Sequence, residues 1–379
     1  MEKRETRRKD VAQKLLHMKG GTGETSYAKN SLVQQKAISL TKAMREEAIT
    51  NLYSKKFPRV LSIADMGCST GPNTFMVISE VIKSVENICR EMKHESPEYQ
   101  FFMNDLPDND FNNIFKSLDN FKKKLSDEME DVEIGPCFFF GVPGSFYGRV
   151  FPTKTLHFVH SSYSVHWLSR VPQGIENNKG NICEARTSPL KVRKAYYKQF
   201  QKDFSLFLKS RAEELIEGGR MVLILMGRRG EEQYNKDGCY IWELLALALN
   251  DMVSQGIINE EQIDTFNVPM YTPSPSEVRL EVLKEGSFTI NCVEVSEVHW
   301  NVAHDHDDDD WNNNNANFDS KSESLIKCMR AVAEPLLITH FGEVVIEEIF
   351  RRYQAILADR MSKEKTEFVN VNISMTKKE

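Results

Sequence analysis

Apolar and β-branched residues gather into seven short runs, at 60–67, 99–106, 137–144, 156–168, 220–227, 288–298 and 368–376, most of them bounded by glycine, proline or polar clusters. Such runs predict strands. Between most of them the period changes. "NTFMVISEVIKSVENICREM" (73–92) repeats its apolar residues every three or four positions. "YKQFQKDFSLFLKSRAEELIEGG" (197–219) does the same and closes on Gly218 and Gly219, the expected helix stop. Strand and helix alternate, which predicts a mainly parallel sheet with helices on both faces.

Two segments do not fit that sheet. Residues 238–286, with Pro269, Pro273 and Pro275 in a loop, and residues 321–357 both read as helical. They are expected to form a cap over the carboxyl edge of the sheet. "HDHDDDDWNNNNANFDSKSE" (304–323) is low in complexity and nearly free of apolar groups, so a mobile acidic loop is expected there. His304, His306 and the aspartates around them could chelate a cation, but a solvated acidic loop is the reading preferred. No internal repeat is present.

With 379 residues, 40% of them hydrophobic, the chain is long enough for a large core and a second, smaller lobe. The formal charge of -6 provides no basic field for nucleic acid or an anionic membrane, which shifts the expectation to a small-molecule partner. The seven cysteines (68, 89, 137, 183, 239, 292 and 328) lack CxxC or other zinc-like spacing and read as reduced core thiols. The amino terminus is charged throughout, without the apolar stretch of a secretory signal, and no run approaches the ~18 apolar residues of a spanning helix. A soluble cytoplasmic protein is expected.

The chemistry begins at "LSIADMGCSTGPN" (61–73), where an apolar run reaches Asp65 and enters a turn containing Gly67, Ser69, Gly71 and Asn73. Glycines there let backbone approach a ligand closely. The GxGxxG order of a pyrophosphate binder and the GK[ST] of a P-loop are both absent. An acidic turn without a cation suits a positively charged ligand, such as a sulfonium with an amino acid tail. The next run ends in "FFMNDLPDND", which brings Asp105 to where an acid accepts hydrogen bonds from ribose hydroxyls. The run after it ends in "GVPGSFYGR", whose Ser145 and Phe146 could bond and stack an adenine. Each could be a plain turn residue; three at consecutive strand ends point to S-adenosylmethionine (AdoMet).

These stretches, with "LHMKGGTGETSYAKNSLVQQK", "HFVHSSYSVHWLSRVP", "DTFNVPMYTPSPSEV" and "CMRAVAEPLL", resemble the plant SABATH family of AdoMet-dependent methyltransferases, and within it the salicylate and benzoate carboxyl methyltransferases. The resemblance runs from about Leu16 to Lys377. It implies an α/β fold: a Rossmann-like methyltransferase sheet of about seven strands, helices on both faces and a helical active-site cap. The expected organisation is an amino-terminal segment with the first part of the AdoMet domain (1–170), a helix and strand completing the sheet with part of the cap (171–232), and a helical cap (233–287). A strand (288–303), the acidic loop (304–323) and a cap helix with the final helix and strand (324–379) complete it.

The resemblance further implies that Lys19, Tyr27, Ser31, Asp65, Asn73, Asp105, Leu106, Ser145 and Phe146 surround AdoMet, with Gly67 in the turn. It implies that Gln34 and Trp167 hold a substrate carboxylate by amide and indole N–H groups, with His166 and Met329 flanking the ring and Tyr163 and Tyr27 nearby. S-adenosylhomocysteine (AdoHcy) is the implied product and a homodimer the implied assembly. Asn178, Asp264, Phe266 and Asn267 match positions where some members hold a metal, such as Mg²⁺; loop hydrogen bonding explains those residues about as well.

A carboxylic acid is ionised at pH 7, so its methylation needs no general base. It needs an oxygen in line with the methyl–sulfur bond, ~3 Å from the methyl carbon, with water excluded. Trp167, Tyr163, Phe146 and Tyr147 could shield the sulfonium, or simply pack the core. His166 replaces the Met that accompanies salicylate among relatives, so benzoate is the expected good substrate, with salicylate also accepted. The alternatives are a xanthine-alkaloid N-methyltransferase, against which Gln34 argues, another acid such as jasmonate or anthranilate, and an inert AdoMet-fold protein that acts by binding.

Overall fold

A computed structural model describes residues 16–129, 132–231, 236–301 and 318–379. Seven strands, β1 (Val60–Met66), β2 (Glu98–Asp105), β3 (Cys137–Pro143), β4 (Leu156–Ser162), β5 (Leu215–Met226), β6 (Phe288–His299) and β7 (Glu367–Lys377), form one sheet in the order β3-β2-β1-β4-β5-β7-β6. The first five run parallel, while β7 lies antiparallel between β5 and β6. The sheet is therefore mainly parallel, as the alternation predicted, with an antiparallel edge of β7 and β6 that it did not foresee. Hydrophobic period marks a strand but carries no information about its direction.

Helices α1 (Leu32–Leu40), α2 (Lys42–Lys56), α3 (Asn73–Met92) and α4 (Phe111–Glu128) precede β3 in the chain. Phe75, Ile78, Val81, Ile82 and Val85 of α3 pack with Leu61 and Ile63 of β1, so the period read from the sequence is the period that is buried. With α5 (Leu190–Glu214), Phe200, Phe204 and Phe207 join Leu223, Leu225 and Ile373 in a second core. Burying each such ring stabilises by about 1.5–3 kcal/mol before entropy is counted.

A third core joins α6 (Tyr240–Ser254) to α9 (Phe318–Phe341) and α10 (Ile346–Lys363), while α7 (Glu260–Thr265) and α8 (Pro275–Glu285) are the remaining α-helices among the described residues. Residues 318–323, expected as part of the acidic loop, are helical as the first turns of α9. Residues 304–317, with His304 and His306, lie outside the described residues.

Gly218 and Gly219 do not end a helix. Strand β5 begins at Leu215, already paired with Leu156, and the register slips before Arg220 pairs with Phe158. Gly218, at φ 73°, sits in that bulge; cross-strand pairing overrode the local helix signal. The run 156–168 likewise stops being strand at Ser162, and Tyr163, at φ 55°, turns the chain towards His166 and Trp167. The strand order reverses between β1 and β4, so their carboxyl ends open the crevice where ligands bind in such sheets.

Candidate active site

Asp65, Met66 and Gly67 arrive at this crevice from β1. Gly67 sits at φ 78°, and a Cβ there would fall 2.1 Å from Ser164 Oγ, so only glycine fits. The Gly67 and Cys68 N–H groups donate to the Asn104 carbonyl at 2.8 and 3.0 Å, fastening the turn to β2. Among the described residues, Ser69 Oγ, Thr70 Oγ1 and Thr74 Oγ1 are buried without a hydrogen-bond partner. Buried polar groups are normally satisfied, so this cluster at the start of α3 fits a polar ligand. Asp65 Oδ1 lies 2.8 Å from Nδ1 of His160 on β4, a partner that the sequence reading did not single out.

At the end of β2, Asp105 accepts the Ser69 and Leu106 N–H groups, both at 2.7 Å. Burial nevertheless pushes its pKa up to about 6, with the two N–H donors pulling it down. Each oxygen keeps a lone pair for a further donor such as a ribose hydroxyl. After β3, the loop bearing Ser145 and Phe146 is held from beneath by a fully buried ion pair. Arg211 donates to the Phe146 and Gly148 carbonyls at 2.9 and 2.8 Å, and Glu214 accepts from the Val150 and Phe151 N–H groups. Each charge is thereby paired and hydrogen-bonded.

Across the crevice stand Gln34 of α1 and Trp167. Among the described residues neither Gln34 Nε2 nor Trp167 Nε1 has a protein hydrogen-bond partner, and both side chains line the same cavity. Trp167 is held through its backbone, its N–H donating to Ser164 O at 3.0 Å and its carbonyl accepting the Tyr147 hydroxyl. His166 accepts the Met226 N–H on Nδ1 at 3.2 Å, which leaves the proton on Nε2. Burial lowers its pKa to about 3, so the ring is neutral. The Tyr163 hydroxyl donates to Asn370 Oδ1 at 2.6 Å.

One cavity runs between these donors and the strand ends. Of the expected residues, Tyr27, Gln34, Gly67, Asp105, Leu106, Ser145, Phe146, Tyr163, His166, Trp167 and Met329 line it. Lys19, Ser31, Asp65 and Asn73 lie outside its lining: the Lys19 ammonium is paired with Glu334 at 2.5 Å, and Ser31 precedes α1. The lining also includes Met226, Trp242, Val332 and Phe368, which the sequence reading missed. They belong to β5, α6, α9 and β7 and carry no local motif, only apolar character shared with the core.

Asp264, Phe266 and Asn267 line a second hollow, and Asn178 is hydrogen-bonded to Asn267 beside it. Asn178 Nδ2 donates to Asn267 Oδ1 at 3.1 Å and to Cys183 O, and its Oδ1 accepts from Ser188. Asp264 is taken by Lys179 and the Gly180 N–H. Among the described residues no group of three or more His, Cys, Asp or Glu is placed to hold a metal. As folded, these residues brace a loop.

The family model for SAM dependent carboxyl methyltransferases matches residues 13–378. The chain belongs to this family. A benzoic acid/salicylic acid carboxyl methyltransferase of Petunia hybrida is 56% identical over 363 residues, covering 96% of this chain and 98% of that protein. Salicylate carboxymethyltransferase of Clarkia breweri is 54% identical, covering 97% and 99%. The solved structure of a loganic acid methyltransferase with S-adenosylhomocysteine, 34% identical, covers 96% of this chain and 99% of its own, with a TM-score of 0.80. Among the described residues of this carboxyl methyltransferase, no helix is long and apolar enough to cross a membrane.

Proposed function

We propose that the protein transfers the methyl group of AdoMet to the carboxylate of a small aromatic acid, benzoate or salicylate, giving the methyl ester and AdoHcy. The observation that carries this reading is the charge distribution in the cavity. Among the described residues its lining contains Asp105 at the cofactor end and neither lysine nor arginine. Gln34 and Trp167 offer uncharged N–H donors at the other end, among Met226, Trp242 and Met329.

Benzoate and salicylate, with pKa values of about 3 to 4, enter as anions. Two neutral donors fix such an anion without quenching it as a salt-bridging cation would. One carboxylate oxygen attacks the methyl carbon, the carbon–sulfur bond breaks with its electron pair going to sulfur, and no proton moves. His166, neutral and held by Met226 N–H, adds an Nε2–H donor to the ring wall. We assign Gln34 and Trp167 to the carboxylate, and Met329, Tyr163 and His166 to the ring. Tyr27, Asp105, Leu106, Ser145 and Phe146 are assigned to the nucleoside of AdoMet, and Asp65 with the Gly67 turn to its amino acid tail. Lys19, Ser31 and Asn73 then support that end from behind the wall.

The Petunia and Clarkia relatives are named for benzoic and salicylic acids, which favours a carboxylate over an alkaloid nitrogen as the acceptor. A homodimer in the cytoplasm completes the proposal and is tested by sedimentation and by fluorescent tagging. The function is tested by methyl transfer from labelled AdoMet to benzoate, salicylate, xanthine and theobromine, with wild type and His166→Met. Turnover of the two acids is expected, shifting towards salicylate in the variant; turnover confined to the purines would overturn the assignment of Gln34.

A further inference from the structure

Asp65 and His160 are register partners on the parallel strands β1 and β4, and their side chains meet at 2.8 Å between Oδ1 and Nδ1. His160 is 1% exposed and the Asp65 side chain 12%. Among the described residues no lysine or arginine pairs with Asp65, so its carboxylate is held within the protein without a full cationic partner. Among the described residues Asp65 Oδ2 has no protein partner and is not sealed off, whereas His160 Nε2 is buried without one. The Asp65 contact is therefore the hydrogen bond that sets the imidazole, and the imidazole decides which carboxylate oxygen is free.

We propose that His160 is a positioning residue for the cofactor: its Nδ1–H fixes Oδ1 of Asp65 so that Oδ2 is presented to the ammonium group of the AdoMet tail. This rests on the assignment of Asp65 to that tail. An ionised carboxylate can only accept, so His160 carries its proton on Nδ1 in this pair. A charged acceptor held by a donor this close is stiff and directional, and a carboxylate left to rotate would lose its aim at the ammonium. Asp105 and Tyr27 lie within electrostatic range of Asp65, on the side of the nucleoside.

The test compares two ligands that differ in the tail. AdoHcy carries the ammonium and carboxylate; 5′-methylthioadenosine keeps the nucleoside and sulfur without them. By calorimetry, His160→Leu is expected to weaken AdoHcy about ten- to hundredfold, the loss typical of a hydrogen bond to a charged group, and to leave 5′-methylthioadenosine within about twofold. His160→Asn, whose amide nitrogen stands near the Nδ1 position, is expected to restore AdoHcy binding to within about threefold, and His160→Gln, whose amide reaches past it, is not. Equal weakening of both ligands by His160→Leu, or equal behaviour of the Asn and Gln variants, would overturn the proposal. If His160→Leu does not fold, the Asn and Gln pair decides alone. Asp65→Asn separates the underlying assignment: if it affects both ligands alike or neither, the tail does not lie at Asp65. If Asp65→Asn is selective for AdoHcy while His160→Leu is silent, the assignment stands and the role of His160 fails.

Discussion

The thiol of Cys328, on α9, donates to Oε1 of Gln34, on α1, at 3.7 Å. Burial pushes the Cys328 pKa up to about 12, so the thiol stays protonated and remains a donor. With its oxygen engaged, Gln34 turns its Nε2 hydrogens towards the cavity, where the proposed function would supply a carboxylate oxygen as their partner. A cap helix thus orients a donor on α1.

Gln34→Glu keeps the shape and replaces the donor with an anion. Initial rates are expected to show kcat/KM for benzoate falling about a hundredfold or more, through like-charge repulsion and a lost donor. AdoHcy affinity should change by less than about threefold. Equal loss of both would move Gln34 from the acid to the cofactor.

Asp105 gives AdoHcy binding a pH dependence of known sign. In the free protein burial holds its pKa at about 6. Ribose hydroxyls donating to the ionised form would lower that value in the complex, so binding favours the deprotonated carboxylate. Affinity is then full above about pH 6 and falls as the pH drops below it, by up to about tenfold per pH unit, until the pKa of the complex is passed. Calorimetry across this range should show proton release on binding, and Asp105→Asn should flatten the profile.

His166, with its pKa lowered to about 3, does not titrate in the working range. The wild type and His166→Met are expected to share the same pH–rate profile between about pH 5 and 9 while differing in their benzoate-to-salicylate ratio. A limb near pH 6.5 that vanished in the variant would show that the ring ionises in the complex.

Arg211→Met removes the donors beneath Phe146 and Gly148 and leaves Glu214 buried with its charge unpaired. Urea unfolding should register a loss of about 3–5 kcal/mol. Arg211→Lys is expected to recover only part of it, because one ammonium cannot reach two carbonyls and a carboxylate with the fork of a guanidinium.

Helix α3 was readable to the residue because its signals are local: a glycine–proline turn before it and an unbroken apolar stripe along it. The strand ends were readable for the same reason, since Asp65, Asp105 and Ser145 each lie where an apolar run passes into a turn. Polar and apolar alternation could not tell which way β7 runs, nor that Gly218 and Gly219 bend a strand, because both outcomes depend on a partner strand distant in the chain.

Composition, period and motif by themselves determined the layered α/β class, the family resemblance, and which residue types stand at the strand ends. Tertiary structure alone decided how those groups are aimed. His160 reaches Asp65 from 95 positions away, Cys328 reaches Gln34 from 294, and Met226 pins His166 from 60. Contacts of that range leave no local pattern: each needs two ordinary residues to meet after the sheet closes, and only packing settles which atoms then stand within hydrogen-bond reach.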